Sequence, residues 1–348
     1  MKKVLLATPM MPPTPGGPAT HAKKLIDYFG FQLFNFEKYK KFPSGIRHLF
    51  AFLDIFYHSL NKDIILALDG FTVAWPSIFV KLLTGKKVVL RVGGDFVYEN
   101  FLYTKEVDYE SYYNNFEANK KLMSTKLYLK YLAQKFLVQQ ATGVIFNTNW
   151  QKDIFLKHYK LNPNKVFVIL NPIEPIPENI YKDEKYENDS KYIFTSITRD
   201  IPYKNQSRVK KVFDGLMTPP SPPLLRGGIV PYFEHKQGSW ESCLKRISVS
   251  RAYICASISD ISPNQVLEAI ALKIPIILTK YSGITENLKN EKFVKIVDPF
   301  SEEEIKKAIL EMCDNIIYKD CKTGYENFSW PQNWSTLFKQ YEQIINEI

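Results

Sequence analysis

The sequence predicts an α/β protein made of two doubly wound, parallel-sheet domains. Three observations carry this expectation. The chain has 348 residues, room for two domains of about 150 residues each. Short β-branched or Leu-rich runs alternate with longer segments whose apolar residues recur at helical spacing, as in parallel sheets covered on both faces. The alternation is interrupted by a polar stretch and then restarts.

Val4–Thr8 reads as the first buried strand, and Asp63–Leu68, Lys87–Val92 and Gly143–Asn147 as later ones. Between them Ile46–Leu60, Val73–Leu83 and Leu127–Gln140 read as helices. Val166–Leu170 restarts the pattern, followed by Asn171-Pro172 and a polar run to Lys191; its end, residues 177–191, is rich in charge and is the expected linker. Tyr192–Ile197 and Ala252–Ala256 then begin and continue a second sheet. Ile274–Thr279 follows a helix, Ser301–Met312 is helical, and an amphipathic helix closes the chain. The expected domains, both Rossmann-like, are residues 1–165 and 166–329, with the helix 330–348 returning to the first. Thr218–Ile229 (TPPSPPLLRGGI) cannot continue a helix or a central strand. It reads as a surface loop or insertion, or less readily as a proline-rich ligand for another domain.

A composition 45% hydrophobic supports a core in each half. The formal net charge of +10 favours anionic partners such as nucleotide phosphates or acidic lipid headgroups. The lysines are dispersed and no nucleic-acid module is recognisable, so nucleic acid is not an expected partner. The four cysteines, at 243, 255, 313 and 321, form no Cys-x-x-Cys pair, which argues against a structural zinc site. Cys255 lies in an apolar run and reads as a buried free thiol, in keeping with a reducing cytosol. The start, MKKVLLATP, reaches proline too early for a signal peptide, and no run of about 18 apolar residues predicts a membrane span.

The strongest site pattern runs from Ala256 to Ala269. A strand ends near Ala256. Ser262 is placed as an N-cap, Pro263 at the first helical position and Gln265 as the partner in a capping box. The amides around Ser262, Pro263 and Asn264 would then face the strand end, where helix termini favour phosphate. Asp260 precedes the helix, where it could meet a sugar hydroxyl. Glu268 lies further along it, where it could accept from ribose hydroxyls. An ordinary well-capped strand–loop–helix unit would read the same way. Arg199 and Lys204 lie after the strand ending at Ile197; two cations at such a turn could stabilise a departing diphosphate, or simply be solvated. Gly16-Gly17, with His21 following, comes after the first strand, where glycines let backbone approach a ligand closely; His21 could equally be a helix-surface residue. Arg91-Val92-Gly93-Gly94-Asp95 ends another strand. Asp95 either binds donor or acceptor hydroxyls or caps a turn, and Asp69 is a weaker candidate of the same kind.

Taken in order along nearly the whole chain, these elements resemble the retaining glycosyltransferases of family 4. The matching residues are Gly16-Gly17 with His21, Arg199 with Lys204, the pair Asp260 and Glu268 in place of Glu-x7-Glu, the run Ala269–Ile277, Ser282–Glu286, and the segment Arg91–Glu99. The resemblance implies the GT-B architecture, two Rossmann-like domains facing a cleft, and a nucleoside-diphosphate sugar donor held mainly by the second domain. It implies that Arg199 and Lys204 hold the diphosphate, Glu268 the ribose and Asp260 the transferred sugar, with no catalytic metal and no separate cofactor. Asp260 stands in place of the usual Glu, Lys273 and Ser196 in place of Gly, and the proline-rich run replaces a Gly-rich turn.

The expected function is therefore retaining transfer of a hexosyl group to a saccharide or lipid-linked acceptor, in cell-surface polysaccharide or glycolipid synthesis. The expected location is cytoplasmic, with peripheral contact at the inner face of the membrane. The alternative is a degenerate protein that binds a nucleotide sugar and turns nothing over.

Overall fold

The structure, a computed structural model, describes residues 2–14, 16–182, 191–217, 230–235 and 238–348; every statement below concerns those residues. The proline-rich run 218–229 and most of the expected linker lie outside them. The chain divides into two compact units. One comprises residues up to Lys105, Glu110–Asn171 and Trp334–Ile348, and the other Glu106–Tyr109 and Pro172–Asn333.

The first unit holds a six-stranded sheet in the order β2-β1-β3-β4-β5-β6, with β1 Val4–Thr8, β2 Gln32–Asn35, β3 Ile64–Ala67, β4 Lys87–Val92, β5 Gly143–Phe146 and β6 Val166–Val168. Every pairing is parallel. The helices are α1 Gly17–Phe29, α2 Ser44–Ser59, α3 Ala74–Thr84, α4 Phe96–Phe101, α5 Tyr109–Asn114, α6 Phe116–Lys120, α7 Thr125–Gln140 and α8 Asn149–Tyr159. Crossovers between parallel strands are right-handed. The connection from β1 to β2 runs one way across the sheet, and those from β2 onward run the other way. Hence α1 covers one face while α2, α3, α7 and α8 cover the opposite one. Alternate strand residues follow this division. Leu6, Leu66, Val89 and Ile145 pack with Ala22 and Leu25 of α1 and with Leu337, Tyr341 and Ile344 of the last helix.

Val166–Val168, expected to open the second domain, is instead the edge strand of this first sheet. Val144, Ile145 and Phe146 pair with Val166, Phe167 and Val168, so the boundary lies after Asn171. An apolar run signals a strand but does not say which sheet it joins.

The second unit carries β7 Lys191–Thr195, β8 Val230–Glu234, β9 Ala252–Cys255, β10 Ile276–Thr279 and β11 Val294–Val297, in the all-parallel order β11-β10-β9-β7-β8. Its helices are α9 Gln206–Met217, α10 Trp240–Ser248, α11 Asn264–Ala271, α12 Thr285–Leu288, α13 Glu302–Cys313 and α14 Asn315–Thr323; α15 Trp334–Glu347 belongs to the first unit. One face of the sheet buries Phe194, Ile254 and Ile277 against Val209 and Phe213 of α9 and Ile305, Ile309 and Met312 of α13. All four cysteines are free and buried.

Candidate functional site

In an open parallel sheet, ligands bind beyond the carboxyl ends of the strands, where neighbouring connections depart in opposite directions. In the second unit that point lies between β7 and β9. The chain leaves β7 toward β8 through α9, and leaves β9 toward β10 through α11. The exits of these two strands carry Arg199 and Lys204 on one side, and Asp260 to Glu268 on the other.

The β7 exit is rigidly tied. After a single turn, Pro202–Lys204, Asn205 takes a left-handed conformation (φ 60°), which Asn tolerates better than most residues. Its Nδ2 donates to the carbonyls of Ala256 (2.9 Å) and Pro299 (2.8 Å), fixing the turn against the end of β9. Gln206 donates to Ser196 Oγ (2.9 Å) and Thr198 Oγ1 (3.0 Å). Asn205 escaped the sequence reading, although an Asn between a Pro-led turn and a helix is a local cue for such a bend.

Lys204 Nζ donates to Asp260 Oδ2, joining the two strand exits, and both side chains are largely buried. Burial alone would lower the Lys204 pKa, but the Asp260 charge outweighs it and the ammonium is held above its ordinary range. Arg199 is exposed and donates from Nη2 to Tyr203 Oη at 3.2 Å, while Lys204 Nζ lies 5.3 Å from the centre of the same ring. Tyr203 thus gathers both cations. Asp260 is fixed from the far side as well: its N–H donates to the Tyr281 carbonyl (3.1 Å) and its carbonyl accepts from Gly283 (2.9 Å).

The start of α11 departs from expectation. The helix begins at Asn264, and Pro263 (φ −71°, ψ 109°) is the N-cap with no side-chain cap hydrogen bond. Ser262 is therefore one position outside the cap, and the capping box with Gln265 is not formed. The extended ψ of Pro263 delays the first helical turn by one residue. In the first turn of α11 the Val266 N–H donates to the Pro263 carbonyl at 3.1 Å. Glu268 is partly buried and accepts from Trp240 Nε1 at 3.1 Å. Burial lifts its carboxyl to about 7, the Trp240 hydrogen bond opposes that, and the Glu174 charge adds to it. Trp240 is remote in sequence and carried no motif.

Five predicted residues belong to the first unit. Gly16 is the N-cap of α1 with φ 134°, a conformation that side chains rarely adopt, and Gly17 opens the helix. His21, expected near the ligand loop, is instead buried. Its ring Nε2 lies 3.0 Å from Tyr341 Oη, and Arg91 Nη1 donates to the same hydroxyl at 3.1 Å. Burial, then the Arg91 charge, pushes the imidazole well below its usual range. Asp95, expected among the catalytic groups, is fully buried and caps α4 by accepting from Val97 and Tyr98 N–H groups. Its carboxylate also accepts from Tyr113 Oη and from Gln134 Nε2 (3.1 Å). Asp95 therefore follows the capping alternative. Asp69 likewise accepts from the N–H groups of Phe71, Thr72 and Val73.

Several solved structures share this two-sheet architecture over essentially their whole length. WaaG, a glycosyltransferase involved in lipopolysaccharide biosynthesis, superposes with a TM-score of 0.71 at 13% identity, covering 98% of this chain and 99% of that one. HepE of Anabaena, in complex with UDP and glucose, gives 0.66 at 12% identity with both chains fully covered. Sucrose-phosphate synthase of Thermosynechococcus elongatus gives 0.70 at 12% identity, covering 100% and 99%. The fold is GT-B. No family model matches the sequence, and no curated protein does. In GT-B terms, the Lys204–Asp260 pair and the start of α11 lie at the strand ends of the second α/β domain.

Proposed function

We propose that this chain is a retaining glycosyltransferase acting on a nucleoside-diphosphate sugar. The observation that carries the reading is the Lys204–Asp260 pair bridging the β7 and β9 exits, with Arg199 beside it on Tyr203. WaaG and HepE support it by fold and by the UDP and glucose that HepE binds. Arg199, Lys204 and the first amides of α11 receive the diphosphate, and preorganised donors of this kind stabilise the charge that grows on a leaving group. Glu268 accepts from the ribose, and Asp260 positions the transferred hexosyl group. The bond between the anomeric carbon and the diphosphate oxygen breaks, its electron pair leaving with the diphosphate. The acceptor hydroxyl oxygen bonds to the same face, and its proton passes to the departing phosphate. The acceptor class is a saccharide or glycolipid of the cell surface, which fits a cytoplasmic enzyme working beside a membrane.

The test is transfer from labelled UDP-glucose and related donors to cell-envelope acceptors, with the anomeric configuration of the product read by NMR. Nucleotide affinity is measured in parallel for wild type, Arg199→Ala and Glu268→Ala. We expect each substitution to weaken binding about tenfold or more, the scale of a lost charged hydrogen bond. Binding without transfer or donor hydrolysis would identify a binding protein instead, and absence of nucleotide binding would end the proposal.

A further inference from the structure

The exposed apolar side chains are not scattered. Of twenty large hydrophobic residues exposed among the described residues, twelve lie on α2 and its C-cap, α3 and α7. Those of α2 are Ile46, Leu49, Phe50, Leu53, Tyr57 and Leu60. Their spacing of three or four residues makes one continuous stripe along the helix. Ala51, Ile55 and Ser59 form the opposite, buried side, so α2 is apolar toward the sheet and apolar toward solvent. In α3 the outward residues are Phe79, Leu82 and Leu83, and in α7 they are Leu129, Leu132 and Phe136, again at helical spacing. All three helices cover the same face of the first sheet. An open groove of about 430 Å³ between α2 and α3 is lined by Leu49, Phe52, Trp75 and Phe79.

The charges on these helices are one-sided. Together they hold Arg47, Lys81, Lys126, Lys130 and Lys135 against a single acid, Asp54. Asp54 is already engaged by Lys38, by the Tyr39 hydroxyl and by His58. A layer of helices with apolar outward stripes, cationic side chains and almost no acids matches the surface of an anionic bilayer. Apolar side chains enter the boundary between headgroups and acyl chains while lysine and arginine meet the lipid phosphates. Helix α13, by contrast, opens with Glu302, Glu303 and Glu304.

We propose that the outer face of α2, α3 and α7 docks the first unit onto an anionic lipid bilayer, lying in the headgroup region without crossing it. This surface is independent of the donor site and stands or falls separately from it.

The experiment is cosedimentation of the full chain with phosphatidylcholine vesicles, with and without phosphatidylglycerol. We expect binding to the anionic vesicles that weakens with added salt. The variant Leu49→Ser/Leu53→Ser should reduce partitioning tenfold or more. Each of Lys126→Ser and Lys135→Ser should reduce it about fivefold. Because these side chains are exposed, circular dichroism and nucleotide binding should be unchanged. Leu129→Ser/Leu132→Ser on a different helix provides a second disruption should the first variant misfold. Failure of the wild type to bind anionic vesicles overturns the proposal. So does binding that neither double variant reduces, or a wild-type dimer in light scattering that buries this face and leaves vesicles unbound.

Discussion

Lys204 and Asp260 stand 56 residues apart and leave different strands, yet their side chains form a largely buried ion pair. Removing one partner leaves the other charge unpaired, which costs about 3–5 kcal/mol, whereas replacing both with apolar groups is often neutral. Asp260→Ala should therefore lower unfolding stability in urea by that amount. The double variant Lys204→Met/Asp260→Leu should recover most of it while remaining unable to bind nucleotide.

Glu268 gives a pH dependence of opposite sign to the usual carboxylate. Its pKa in the fold is raised to about 7, so between about pH 4.5 and 7 the folded state holds a proton that the unfolded state has lost. Stability contributed here should fall as pH rises through that window, and Glu268→Gln should flatten the profile in denaturant titrations. Nucleotide affinity should run the other way, rising through about pH 7 as the carboxylate becomes the stronger acceptor for ribose hydroxyls. Glu268→Gln should abolish that rise.

His21 is held neutral by burial and by Arg91. Below the ordinary imidazole pKa the unfolded chain takes up a proton that the fold refuses. Stability of the first unit should therefore drop as pH falls below about 6.5, by at most about 1.4 kcal/mol per pH unit for this group. The slope should shrink in His21→Gln, measured by thermal unfolding at a series of pH values.

Asp95 separates a structural from a catalytic role. Asp95→Ala removes a helix cap and strands the donors of Tyr113 and Gln134, a loss of about 2–4 kcal/mol. Asp95→Asn keeps an acceptor for the cap. The Asn variant should retain transfer activity wherever it remains folded, and loss of turnover in a fully folded Asn variant would return Asp95 to the chemistry.

Strands were legible because β-branched runs such as Val4–Thr8 and Lys87–Val92 leave few alternatives. The cations and carboxylates at the β7 and β9 exits were legible because strand ends followed by helix starts concentrate them. The rest needed three dimensions. A capping aspartate and a catalytic one share the same Gly-Gly-Asp signature, and only the partners of Asp95 distinguish them. Trp240, 28 residues from Glu268, has no motif to announce it. Lys273 is instructive in the other direction: it adopts φ 55°, the left-handed conformation that glycine occupies most easily, at the position where the resembling family has glycine.

The last helix has a consequence for synthesis. Residues of α15, among them Leu337, Tyr341 and Ile344, complete the apolar layer beneath the first sheet, and Ile348 lies so near Gly143 that even a methyl group there would meet it at 2.6 Å. A ribosome making this polypeptide emits the whole second sheet before that layer can close. The earlier-made lobe must therefore wait, with one side of its sheet uncovered, for the last segment to emerge. Nascent chains halted before residue 334 should be the ones that trigger factors and proteases engage most readily.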